Sequence, residues 1–216
     1  MIREFGLIDI MYLLGAARWT VALAAVAFLG GGLAGLLIAL LRVTPLAPVR
    51  WLAIVYVQAI QGTPLLAWLF LFYFGLPLVG FVVNPWIAAA TAFAIYAGAF
   101  LGEIWRGALA AIPPTQWEAG ASLGLGFLDQ LRYIIVPQAV RIAIPPTVGF
   151  LVQLIKNTSL AAAIGFVELT REAQITNAST FRPMTVFVIV AAIYFAMCFP
   201  LTQWSRYLER RLHVAR

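Results

Sequence analysis

Redox chemistry and charge are nearly missing from this chain. Its 216 residues include one cysteine and one histidine, and only 10% are Asp, Glu, Lys or Arg. A single cysteine excludes an internal disulfide framework, and Cys198 lies in an apolar run with no zinc or redox motif around it. The lone histidine, His213, sits in a basic tail, so no HExxH metal-hydrolase motif can be written. There is no Gly-rich phosphate loop ending in Lys-Ser/Thr, so the chain carries no Walker-type nucleotide site of its own. Internal repeats and low-complexity tracts are lacking as well. What the chain has in excess is apolar: 63% of residues, with a mean hydropathy of +0.97, against about 45–50% in soluble domains. That is the composition of a membrane protein. The excess of 14 basic over 8 acidic residues, net +6, would suggest nucleic acid in a soluble chain. Here it is read as loop charge that sets orientation and meets anionic membrane lipid, with no nucleic acid as partner. Arg3, Glu4 and Asp9 precede the first long apolar run without a convincing cleavage site, so the N-terminus is expected to be retained.

The charge-free runs measure the spans. A crossing helix needs about 20 mostly apolar residues. Arg18 and Arg42 enclose 23 uncharged residues, one span at about 19–41. Trp51 to Gly102 is free of charge for 52 residues, too long for one helix. Gly75, Pro77, Gly80, Asn84 and Pro85 divide it into spans near 51–74 and 86–110, with Pro85 suited to the first turn of the latter. Arg141 to Lys156 encloses only 14 uncharged residues, so the fourth span, about 138–156, needs interfacial ends or tilt. Pro183 to Ser205 supplies 23 more for the fifth, about 183–205. The expectation is an all-α polytopic protein, one transmembrane domain over residues 1–216. Between the last two spans, Leu160 to Val167 is apolar enough to re-enter or lie in the interface, and Glu168 to Glu172 reads as an outer, water-exposed helix start.

Residues 113–137, PPTQWEAGASLGLGFLDQLRYIIVP, form the one polar block between thick apolar spans three and four. Thr115 and Glu118 have the spacing of a capping box. Gly124 is placed to end that helix in a left-handed turn. A second short helix, 127–135, then runs to Pro137. With this block inside, nine basic residues (Arg42, Arg50, Arg106, Arg132, Arg141, Arg206, Arg210, Arg211, Arg216) face the cytoplasm. Five (Arg3, Arg18, Lys156, Arg171, Arg182) lie outside or in the membrane. The positive-inside rule therefore puts the N-terminus outside and the C-terminus inside.

Glu118-Ala119-Gly120, Gly124, Ile134 and Val136-Pro137 resemble the EAA signature of the permease subunits of bacterial ABC importers. Gly120 stands for the usual second Ala and Val136 for the usual Leu. The likeness extends over nearly the whole chain to the polar amino acid branch of that family, through Gly62-Thr63-Pro64-Leu65-Leu66, Tyr73-Phe74-Gly75-Leu76-Pro77, Glu103, Arg106-Gly107, Gln116-Trp117-Glu118, Pro137-Gln138-Ala139, Lys156-Asn157-Thr158-Ser159-Leu160, Glu168-Leu169-Thr170 and Phe181-Arg182-Pro183. The resemblance implies a multi-pass subunit of the bacterial inner membrane that forms half of an amino acid pathway. Its implied partners are a second permease subunit, identical or paralogous, two cytoplasmic ATPase subunits that bind ATP and Mg, and a periplasmic amino-acid-binding protein. No cofactor is implied in this chain. Three positions depart from the branch, which commonly has Glu and Arg at Gln58 and Gln61 and Asp at Asn157. Gln58 and Gln61 are three apart on one helix, so an ion pair has been neutralised as a unit. Losing one partner alone would strand a charge at membrane depth.

The resemblance assigns Glu118, Ala119, Gly120 and Gly124 to docking on the ATPase; without it, an ordinary cytoplasmic connection would serve. Lys156, Asn157, Thr158 and Ser159 have two readings: a cation with hydrogen-bonding groups for a substrate carboxylate, or a snorkelling Lys with a Thr/Ser cap. Gln58, Gln61 and Thr63 could line a pathway or bond between helices. Glu103 and Arg106 are read as a structural ion pair, with gating as the second reading. Gly30, Gly31, Gly32 and Gly35 make a smooth packing face. Trp68, Phe70, Phe72, Tyr73 and Phe74 read as lipid-facing or packed core. The rival functions are an importer of another small polar solute and, from a different class, a gated channel or membrane-embedded enzyme.

Overall fold

In the computed structural model, which describes residues 3–44 and 46–213, all regular structure is helical. Arg216 and the His213 side chain lie outside what is described. The elements are α1 (Leu7–Val43), α2 (Ala47–Gly62), α3 (Leu65–Leu78), α4 (Pro85–Ala110), α5 (Pro114–Ser122), α6 (Phe127–Ile164), α7 (Leu169–Thr180) and α8 (Pro183–His213). α1, α4, α6 and α8 are each long and apolar enough to cross a bilayer, and α2 with α3 makes a fifth candidate. Asn84 caps α4 by accepting the Ile87 N–H at 2.9 Å, and Pro85 opens the helix as its position suggests.

The axis of the molecule is the α1–α4 pair, and glycine builds it. A Cβ on Gly35 would stand 3.0 Å from the Gly102 nitrogen, and one on Gly102 would stand 2.8 Å from Ile38 Cγ2. Gly31 would collide with Ala97 in the same way, while Gly98 faces Ala34. Two small-residue stripes of spacing four, Gly31/Gly35 and Gly98/Gly102, thus let two backbones touch, where dispersion rather than the hydrophobic effect holds helices together. The matched numbering, 31 with 97–98 and 35 with 101–102, makes the two helices parallel. Gly30 and Gly32 flank the seam, against Ala94 and the Trp105 ring.

The second candidate span, expected over 51–74, is made of two helices. α2 and α3 meet at an angle of 100°. Thr63, the residue before Pro64, adopts extended geometry (φ −114°, ψ 134°), the conformation that a following proline favours. Further along α3, the turn 71–75 widens to π-helical, two residues ahead of Pro77. The same device recurs in α6, where the π turn 131–135 precedes Pro137. A proline has no N–H for the carbonyl four residues back, and a wide turn is one way to absorb that loss. The short helix expected to stop at Pro137 therefore runs on as the beginning of α6. The helices of spans one and five also extend past their hydropathy limits, to 7–43 and 183–213.

The fourth crossing is discontinuous. Val152, Ile155 and Cys198 pack on Ala24, one residue from the midpoint of α1, so residues 127–157 end about halfway along that helix. After the 3-10 turn Thr158–Ile164 and the left-handed Gly165 (φ +80°), the Leu169 N–H donates to Thr20 Oγ1 at 3.2 Å, one turn of α1 from Ala24. α7 then climbs along the first part of α1, reaching the contact between the Arg3 N–H and the Ser179 carbonyl at 3.1 Å. Residues 157–168 are thus a break partway along α1, followed by α7 as a second, separate helix.

Candidate functional site

The polar block begins two residues earlier than the capping-box reading allows. Pro114 occupies the first turn, Pro113 is the N-cap, and Thr115 lies inside the helix with no side-chain cap bond. Proline's fixed φ starts a helix without a capping hydroxyl. The helix ends as expected: Gly124 is left-handed at φ +75°, its N–H donates to the Ala121 carbonyl at 2.9 Å, and the Leu125 N–H donates to the Gly120 carbonyl at 3.2 Å. This is the Schellman pair of bonds. Gly120 is the buried residue of α5 and seats it on α6, where a Cβ would come within 2.9 Å of Gln130 Cγ and 3.0 Å of Ile134 Cδ1. Gln130 in turn donates to the Leu125 carbonyl at 2.7 Å, and the Trp117 and Phe127 rings stack at 5.6 Å. Gln138 ties the block to α6 by donating to Gln116 Oε1 at 3.2 Å. Glu118 and Ala119 face outward, beside an apolar patch of Leu123, Phe127 and Leu128 that is 66–78% exposed.

At the other end of the same helix lie Lys156 and Asn157. Lys156 is exposed although its neighbours Ile155 and Thr158 are buried. Asn157 Oδ1 accepts from Gln153 Nε2 at 2.9 Å. The Thr158 and Ser159 hydroxyls donate back to the Ile155 and Lys156 carbonyls, at 2.7 and 2.8 Å, and so cap the broken helix end. Gln58 and Gln61 are exposed on α2, and Thr63 stands at its bend. None of these three takes part in a side-chain hydrogen bond with Lys156 or Asn157.

Glu103 and Arg106 form the expected pair, with Nε and Nη2 of Arg106 at 2.9 and 2.5 Å from Oε1. A third member was not read from the sequence: Arg42 of α1 lies 3.2 Å from Glu103 Oε2. It attracts without hydrogen-bond alignment, since Oε2 accepts no bond. The triad ties the ends of α1 and α4 beside the block.

Glu168 is the larger surprise. The segment expected to be water-exposed begins with a carboxylate of 0% exposure. Glu168 is the N-cap of α7, accepting the Arg171 N–H at 2.9 Å, and it also accepts the Tyr194 hydroxyl at 2.9 Å and the Thr20 hydroxyl at 3.3 Å. Tyr194 and Thr170 hydroxyls approach to 3.1 Å. Among the described residues no cation pairs with this carboxylate, and oriented hydroxyls and a helix N-terminus take that role. The knot pins the broken fourth span to α1 and α8. Glu168's N-cap position before an amphipathic helix was readable; its burial depends on partners as far as 148 residues away. Asp9, also buried, pairs with Arg3 and accepts the Gly6 N–H at 2.9 Å, closing the start of α1.

With this geometry in place, comparison with known proteins gives a consistent answer. Residues 31–214 match the family model described as binding-protein-dependent transport system inner membrane component. The chain is 37% identical over 200 residues to the probable amino-acid ABC transporter permease protein YckA of Bacillus subtilis, covering 93% of this chain and 88% of that one. It is 34% identical to the glutamine transport system permease protein GlnP of Escherichia coli, with 94% and 93% covered. The crystal structure of an amino acid ABC transporter with histidines superposes with a TM-score of 0.88 at 34% identity, over 93% of this chain and 94% of that one. The glycine-seated block, the broken spans and the run of relatives agree: the chain belongs to the binding-protein-dependent transport system inner membrane component family, the permeases of ABC importers.

Proposed function

We propose that this chain forms half of the translocation pathway of an ATP-driven amino acid importer of the bacterial inner membrane, with its polar block receiving work from a separate ATPase subunit. The observation that carries the reading is the continuity of α6: residues 127–157 join the exposed block at one end to Lys156 and Asn157, beside the middle of α1, at the other. Displacing Gly120's seat on Gln130 and Ile134 therefore moves the helix that presents Lys156. The ATPase docks on Glu118, Ala119 and the patch beyond Gly124, and closure of an ATPase pair shifts the block as a body. A second permease subunit completes the pathway, and a periplasmic binding protein delivers the amino acid to it. The block, Arg42 and Arg106 lie on the cytoplasmic side, which leaves the N-terminus outside and the C-terminus inside.

Lys156 is read as a pathway residue that meets the substrate carboxylate, with Asn157 beside it. Support comes from its depth: snorkelling to the outer interface would require a helix end near the headgroups, whereas this end packs beside the midpoint of α1. Half-helix ends at the midplane are a recurring way to build a transport site. Gln58, Gln61 and Thr63 stand at the other broken span and are proposed as its pathway-lining residues, while Thr158 and Ser159 serve through their capping. The test is Gly124→Leu, with uptake measured in vesicles of matched protein content. Normal insertion with lost uptake is expected; undiminished uptake would refute the coupling role.

A further inference from the structure

We infer that a groove between α6 and α8 is the inward leg of the substrate pathway, taking amino acids by the carboxylate, admitting acidic and uncharged side chains and rejecting basic ones. This rests on the proposed reading of Lys156 as a pathway residue and extends it to a substrate class and a second cation. The groove has a volume of about 270 Å³ and is lined by Gly149, Gln153 and Lys156 of α6 and Thr202, Ser205 and Arg206 of α8. That is just below the roughly 300–1,000 Å³ range of ligand pockets, a size for an amino acid rather than a larger solute.

Position gives the groove its direction. Lys156 stands at the level of Cys198, and Arg206 comes eight residues later on α8, ~12 Å further along at 1.5 Å per residue. One cation thus sits beside the middle of α1 and the other toward the end where the basic tail emerges. Gly149 keeps the space between them open, since even a Cβ there would meet only Ser205 Oγ at 3.8 Å.

Chemistry gives it selectivity. The lining has two cations and no carboxylate. Among the described residues neither Lys156 nor Arg206 is ion-paired, and Glu209, one turn beyond Arg206, pairs with neither. The hydroxyl protons are already committed: Ser205 donates to the Pro145 carbonyl at 3.0 Å and Thr202 to the Cys198 carbonyl at 2.8 Å. Their oxygens keep lone pairs, as does Gln153 Oε1, whose amide nitrogen serves Asn157. A zwitterion fits this division, its carboxylate on Lys156 and then Arg206, its ammonium on the uncharged oxygens. A side-chain carboxylate finds the second cation. A side-chain guanidinium or ammonium finds only like charge there.

The test uses the permease complex with its ATPase subunit in lipid nanodiscs, without the binding protein, and L-glutamate, L-glutamine and L-arginine as probes. Glutamate and glutamine are expected to bind saturably, and arginine at least about tenfold more weakly, the scale of one charge-assisted contact. Arg206→Gln is expected to weaken glutamate binding by a similar factor, Arg206→Lys to preserve it, and Arg206→Glu to shift preference toward arginine. Arginine binding as tightly as glutamate, or an order unchanged in Arg206→Glu, would overturn the charge assignment. If Lys156→Met abolishes uptake alongside such a result, the pathway reading stands without it; full uptake in Lys156→Met overturns both.

Discussion

Replacing Gly120 by leucine tests whether the polar block moves with α6 as one body. A Cβ at Gly120 would lie 2.9 Å from Gln130 Cγ and 3.0 Å from Ile134 Cδ1. Gln130 cannot swing away freely, because its amide is held by the Leu125 carbonyl at 2.7 Å. For alanine, a shift of a few tenths of an ångström suffices, and its better helix propensity offsets the strain by about 1 kcal/mol. Gly120→Ala is therefore expected to be near neutral. Leucine adds three more carbons to a closed contact, an overpacking that costs about 1–3 kcal/mol, relieved most easily by α5 lifting from α6. The assay is uptake per ATP hydrolysed by the complex in proteoliposomes. Gly120→Leu should insert normally and lose roughly tenfold in that ratio, the factor that 1.4 kcal/mol represents, while Gly120→Ala keeps it. Full coupling in the leucine variant would refute the seating argument. An equal loss in the alanine variant would show that sterics are not the cause.

Gly31→Leu forces a side chain into Ala97 at the parallel α1–α4 seam and should lower stability in detergent by about 1–3 kcal/mol or more, read as a fall in melting temperature. Gly15→Ala, inside α1 where nothing lies within 4 Å, should instead raise it slightly, by up to about 1 kcal/mol of helix propensity. Glu168→Leu strands the Thr20 and Tyr194 hydroxyls and the Arg171 N–H, at about 1–3 kcal/mol for each group left unsatisfied, whereas Glu168→Gln keeps an acceptor and should melt much closer to the parent. Glu103→Gln should cost only about 0–1 kcal/mol by the same measurement, because its side chain is 31% exposed and solvent screens the pair.

Much of this molecule could be read from local signals. The left-handed Gly124, the Asn84-Pro85 start of α4 and the Gly31/Gly35 face each follow from what one residue type permits in its immediate surroundings. The Thr63-Pro64 bend was also locally encoded, in the restriction a proline places on its predecessor, but an uninterrupted apolar run outweighed it in the span count. Thr115 failed as a cap because two prolines start the helix ahead of it. Glu168 was not legible in its burial, since its solvation by Thr20 and Tyr194 exists only once α1, α7 and α8 are assembled. Arg42 joined Glu103 for the same reason. Lys156 read as a span end, and only the packing of its neighbours Val152 and Ile155 against Ala24 puts that end halfway along α1.

The most direct measurement of the central claim is purification of the chain from its native membrane, followed by transport in proteoliposomes with and without the proteins that accompany it. The account predicts that an ATPase subunit co-purifies, that substitution of Leu123 and Phe127 by aspartate releases it, and that uptake requires both that subunit and ATP. Substrate passage through the purified chain alone, with neither ATPase nor ATP, would contradict it.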